Sequence, residues 1–203
     1  MAKGFTLIEL LIVIAILAIL ATTVVLTLNP AQLLAETRDS QRLSDLSTLQ
    51  AAMSLYLANS TNPVMSYRGS CAAQCFSAID GLGGGCAGTA AARHSSTNGG
   101  GATKDAVASS TASRVINGYG WVPVTFNAIS GGAPFANLPI DPSNTATHFY
   151  SYACSNTNKT FEFDANMEST RYSSGSATDD KESRDGGDVD TIYEIGNDPG
   201  VDL

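Results

Sequence analysis

The sequence predicts an α+β fold, in which one long N-terminal helix packs on a small antiparallel sheet. Three observations predict it. Residues 5–58 carry helical patterning, first apolar without interruption and then striped. Residues 119–165 hold runs of aromatic and β-branched residues that alternate with polar ones and are separated by turn residues. The strand-like runs all follow the helical ones, which is the order of an α+β chain and not of repeated βα units.

The first segment contains "KGFTLIELLIVIAILAIL" (residues 3–20), and no charge occurs from Leu10 to Leu28. As a helix rising about 1.5 Å per residue, that stretch spans roughly 28 Å, close to the hydrocarbon thickness of a bilayer. Lys3 lies on its N-terminal side, so the positive-inside tendency places residues 1–4 in the cytoplasm and the rest outside. A secretory signal cut near Ala18–Ala21 would end its apolar region there, but this one continues. A plain single-pass anchor explains the length and leaves Glu9 unexplained. An acid well inside a bilayer costs about 2.5–3.5 kcal/mol even on lenient insertion scales. No cation lies within reach along this helix, so the partner of Glu9 is expected from another chain.

The stretch "KGFTLIELL" resembles the class III signal of type IV pilins and of the pseudopilins of type II secretion. That resemblance implies a pilin-like fold and a prepilin. A membrane-embedded peptidase would cut between Gly4 and Phe5, Phe5 would be N-methylated, and Glu9 would be the assembly glutamate. It implies a chain held in the inner (cytoplasmic) membrane as a prepilin and later in an extracellular filament or a periplasmic pseudopilus. The implied partners are further copies of the chain, the prepilin peptidase, the membrane, and an assembly platform with its ATPase. A physical role for Glu9 follows: it neutralises the new Phe5 amine of a neighbour, and a misplaced stem would leave both charges unpaired.

Beyond Leu28 the pattern becomes a stripe through Leu43, Leu46, Leu49 or Gln50, Met53, Tyr56 and Leu57, with Ser, Thr, Asp and Arg opposite. This half is expected to cover the sheet. Pro30 lacks an amide hydrogen and is expected to bend the helix between the two halves. Asn59, Asn62 and Pro63 end it. The expected organisation is therefore a leader over 1–4, a membrane or filament-core helix over 5–28 and an amphipathic helix over 29–58. A Gly/Ala/Ser/Thr-rich variable loop over 59–118 leads into a sheet-bearing head over 119–203.

In the head, "YGWVPVTF" (119–126), "HFYSYAC" (148–154) and "KTFEFDA" (159–165) read as strands, with "SNTNK" as a hairpin loop between the last two. "TIYEIG" (191–196) reads as a closing strand. Cys71, Cys75, Cys86 and Cys154 all fall outside the membrane on this topology, and an even number of exported cysteines suggests two disulfides. The pairing Cys71–Cys75 with Cys86–Cys154 competes with Cys71–Cys86 and Cys75–Cys154. A four-cysteine zinc site fits poorly, because only one closely spaced pair is present.

Acidic residues crowd the C-terminal "DDKESRDGGDVD". A solvated tail is one reading. The other is a calcium loop in which Asp180, Asp185, Asp188 and Asp190 surround a glycine turn, and major pseudopilins carry a similar Gly- and Asp-rich calcium loop. Calcium is thus the only cofactor the sequence suggests. The formal charge of −8 argues against direct nucleic-acid binding. His94 and His148 are too few and too scattered for a triad, and no nucleophile elbow or phosphate loop occurs, so no enzyme is expected. The expected function is a structural subunit of a type IV pilus or pilus-like filament. The alternatives are a major pseudopilin and a minor tip pilin whose 60–118 loop is an adhesin site.

Overall fold

A computed structural model describes residues 4–65, 76–77, 114–145 and 147–198. The variable loop and its Cys71, Cys75 and Cys86 lie wholly or largely outside those residues. Helix α1 (Leu7–Leu28) is followed by α2 (Pro30–Asn59). Four strands follow, β1 (Phe76–Ser77), β2 (Ser151–Ser155), β3 (Thr160–Ala165) and β4 (Tyr193–Gly196), all antiparallel in the order β1-β2-β3-β4. The architecture is α+β, with α2 contacting β3, β4 and a short 3₁₀ turn at Phe126–Ala128.

The helices are separated at a single residue. Asn29 adopts φ 40°, a left-handed conformation that asparagine tolerates, and it caps both helices. Pro30 then stands at the first position of α2, where its missing N–H is not needed.

Ala35, Asp39, Arg42, Leu46, Leu49, Met53 and Tyr56 form the buried seam of α2. Their steps alternate four and three residues, a period of about 3.5, so the seam stays aimed at one surface along its whole length. Leu46, Leu49, Met53 and Tyr56 pack with Trp121, Val122, Val124 and Phe126, and with Tyr152, Cys154, Phe161, Phe163 and Ala165 from one face of β2 and β3. The β2–β3 register sets Tyr152 opposite Phe163 and Cys154 opposite Phe161, so these side chains share a face. The Tyr152 and Phe163 rings lie 5.2 Å apart. Four residues, 156–159, close this hairpin, with Lys159 at φ 59°. Gln50 Nε2 donates to the Gly196 carbonyl at 2.8 Å and ties α2 to the edge strand.

Two expectations need correction. "YGWVPVTF" is not a strand: it makes one isolated bridge, Asn117 with Thr125, and residues 120–124 plug the core instead. Pro123 cannot donate to a ladder, and burial on all sides leaves no polar face to alternate with. Trp121 is fully buried, and its Nε1 donates to the Pro139 carbonyl at 2.9 Å. The second correction concerns the stripe. Its upper part runs through Arg42 and Asp39, which are fully buried, while Leu43 is only half-buried.

Arg42 holds α2 to two segments of the head at once. Its Nε and Nη2 fork onto Asp141 at 2.6 and 2.8 Å, and its Nη1 donates to Asp39 at 2.7 Å. A further bond reaches Glu168, which also accepts from Arg38 Nε at 2.9 Å. Asp39 in turn accepts from the backbone N–H groups of Glu168 and Ser169 at 2.9 and 2.8 Å. Burial alone would push the Glu168 carboxyl up, but the bonds from Arg38, Ser143 and Arg42 outweigh it and hold it at about 2. Removing Arg42 strands buried carboxylates. Arg42→Ala is expected to destabilise the head by about 3–5 kcal/mol, and Arg42→Lys to recover little because the fork is lost. Unfolding followed by the fluorescence of Trp121, the single tryptophan, checks both.

Candidate functional site

The N-terminal motif lies at the start of α1. Gly4, Phe5 and Thr6 are outside the helix, and Thr6 is its N-cap in extended conformation, with φ −82° and ψ 150°. Phe5 is exposed. Glu9 sits at the third helical position, where its carboxylate accepts from the Thr6 backbone N–H at 2.9 Å and from the Thr6 hydroxyl at 2.7 Å. The Glu9 N–H donates back to Thr6 Oγ1 at 3.3 Å. This is a capping box, two otherwise orphaned donors satisfied reciprocally.

Glu9 therefore has a neutral partner within its own chain, which the search for a cation on the helix missed. The signal was present in the sequence: Thr6-Leu7-Ile8-Glu9 has the Thr-x-x-Glu spacing of a capping box, directly before an apolar run. Thr22 and Thr23 hydroxyls donate to the carbonyls of Ala18 and Leu20, both at 2.8 Å.

The 18 residues Leu7–Val24 have a mean hydropathy of 2.8 and none of them is buried. This surface is apolar all round, unlike the striped face of α2.

The four aspartates expected around calcium are not brought into one shell among the described residues. Asp180 accepts from Gly175 N–H, Ser183 N–H and the Ser183 hydroxyl, and so closes a local turn. Asp185 accepts from Gly187 N–H and from Glu194 N–H, which ties the glycine turn to β4. Asp188 and Asp190 are exposed. The carboxylates that do approach one another are Glu162, Asp164 and Glu194, on the sheet face opposite the aromatic one, with candidate ligand atoms within 4.8 Å. Sequence reasoning missed this group, although the β3 alternation in "TFEFDA" placed Glu162 and Asp164 on a common face.

Cys154, one of the four cysteines expected to form disulfides, is buried in β2. The connectivity falls outside the described residues.

Residues 1–25 match the prokaryotic N-terminal methylation motif. No curated protein and no solved structure matches the chain. The motif and the apolar helix behind it support a class III signal of the type IV pilin and pseudopilin kind, placed ahead of an α+β head. The motif implies processing by a prepilin peptidase, and the apolar helix fits a membrane-anchored prepilin.

Burial pushes the Glu194 carboxyl up to about 8, with Asp164 and Glu162 adding to the effect and the Val189 N–H opposing it. A carboxyl raised by folding contributes stability that is complete below its unfolded value. That contribution is lost as pH rises through the folded one. In chelator, the head is expected to lose stability as pH rises from 5 towards 8, and Glu194→Gln to flatten this slope. Midpoints of denaturant unfolding across that range check it.

Proposed function

We propose that this chain is a structural subunit of a type IV pilus or pilus-like filament. In this reading it is inserted as a prepilin, cut between Gly4 and Phe5, and polymerised through α1. The observation that carries the proposal is the pairing of the methylation motif with a helix whose 18-residue apolar stretch has no cover among the described residues. A lipid bilayer covers such a helix before assembly, and other copies of it cover it afterwards. After cleavage Phe5 bears a positive amine, and Glu9 of one stem exchanges Thr6 for the Phe5 amine of a neighbour. Loss of Lys3 with the leader makes the subunit one unit more acidic, which disfavours a filament surface that binds nucleic acid. Cys154 pairs with a cysteine of the variable loop and pins that loop to the sheet.

A secretion pseudopilin is the second reading, supported by the acidic glycine turn at Asp185–Asp188 packed against β4. Calcium bound at the C-terminal loop belongs to this variant. Adding calcium to chelator-stripped protein is expected to raise its unfolding temperature if the loop takes the ion, and to leave it unchanged if the loop is only solvated. A minor tip subunit, with the loop over 60–118 as an adhesin, is a third reading and requires scarcity relative to another pilin.

Intact mass spectrometry of protein sheared from the cell surface, and separately of membrane protein, tests the proposal. The expected surface species lacks Met1–Gly4, carries one added methyl group and is short of four hydrogens. Processed protein confined to cells supports the secretion variant. Protein that keeps Met1–Gly4 everywhere, in cells with an active prepilin peptidase, overturns the proposal.

A further inference from the structure

We propose that the Thr6–Glu9 capping box sets where the stem helix begins, and so presents the Gly4–Phe5 bond to the prepilin peptidase as non-helical chain. The inference rests on the prepilin reading and adds Thr6 to its residues as a positioning group.

The box is closed in both directions. Thr6 Oγ1 accepts from Glu9 N–H, while the Thr6 N–H and hydroxyl both donate to one Glu9 carboxylate oxygen. These bonds hold Thr6 at φ −82° and ψ 150°, outside the helical region. A residue held there cannot be part of the first turn, so α1 starts at Leu7 and the scissile bond stays two residues upstream of it. Nothing else in the local sequence stops the helix at this point. Without the Thr6 hydroxyl, Gly4 is itself a serviceable N-cap. A helix capped there would wind Phe5 and Thr6 into its first turn, with the bond to be cut at the cap. Backbone donors left unpaired at the edge of a bilayer are more costly than in water, which adds to the weight of the box.

Gly4 supports the same view from the other side. A Cβ built on Gly4 meets nothing within 4 Å, and its φ is not in the left-handed region. The fold of this chain therefore does not require glycine at that position. On the prepilin reading, glycine there serves a molecule that approaches the backbone closely, and close approach needs a chain that is not coiled. Phe5, 79% exposed, is open to the same molecule. In the reaction, water adds across the Gly4–Phe5 amide and the C–N bond breaks. A carboxylate remains on Gly4 and an amine on Phe5.

The test measures the rate at which a purified prepilin peptidase releases Met1–Gly4 from the full chain in membranes. Thr6→Val keeps the shape and removes the hydroxyl, and it is expected to be cut roughly fivefold more slowly, the effect of losing one N-cap. Thr6→Ser and Thr6→Asn restore a capping oxygen and are expected to be cut at the wild-type rate. Trp121 fluorescence, unchanged across the set, shows that the head is intact. Two results overturn the inference while leaving the prepilin reading in place. One is Thr6→Val cut as fast as wild type. The other is Thr6→Ser and Thr6→Asn as slow as Thr6→Val, which would mean that the peptidase reads threonine itself. Wild-type chain that is never cut overturns the prepilin reading and this inference together.

Discussion

A helix that is apolar on every side, and has none of that surface covered by the described residues, constrains everything downstream of it. Leu7–Val24 cannot stay in water, since each fully exposed large side chain forgoes about 1.5–3 kcal/mol of transfer free energy. The head, in contrast, is an aqueous fold with its own core of α2 and sheet side chains. One chain must therefore satisfy two solvents, and the change of solvent has to fall between two helices. Asn29 provides that point. Its left-handed conformation ends α1 and starts α2 without a loop, and Pro30 makes the new start inexpensive in hydrogen bonds.

The same constraint gives meaning to the buried ions of α2. Its lower seam is apolar, and apolar burial is non-directional, so it specifies register only through shape. The upper seam specifies it through pairing, because Arg42 must meet Asp141 and Glu168, and Asp39 must meet the N–H groups of Glu168 and Ser169. A slip by one turn leaves several charges buried and unpaired, so the network selects a register more than it adds stability. On the proposed reading this helix is tethered at one end to a membrane or filament, and the network fixes it at the other.

Much of this was legible in the sequence, and the failures share a cause. The stem follows from an uninterrupted apolar run, and α2, the β2–β3 hairpin and the final strand follow from local patterns of period 3.6 or 2; the structure has them. The segment "YGWVPVTF" was misread because aromatic and β-branched residues mark burial as well as strands, and Pro123 was the local sign that burial applied. Arg42 and Asp39 were placed on the solvent side because charge type is a good guide to exposure only until a partner arrives from far along the chain. Asp141 and Glu168 are 99 and 126 residues away. In the acidic loop, nearness in sequence suggested a single shell. Asp180 and Asp185 each close a separate backbone turn, Asp188 and Asp190 are exposed, and the acids that meet among the described residues come from neighbouring strands.

Apolar character alone does not turn such stems into a filament. Inside a bilayer the lipid tails are as apolar as leucine, so two stems gain little hydrophobic free energy by touching. What remains is close packing and the pairing of whatever polar groups the stems carry. Within Leu7–Leu28 the charged residue is Glu9. In the isolated chain the capping box already satisfies its carboxylate, so a stem alone does not carry a naked acid into the membrane. A cationic amine offers that carboxylate a charge-assisted bond, roughly twice as strong as the neutral bonds from Thr6. On the proposed reading, cleavage makes such an amine at Phe5. The same event that removes the leader then creates the group able to outcompete Thr6 for Glu9, and uncleaved chains lack it. The order of processing before assembly follows from that competition.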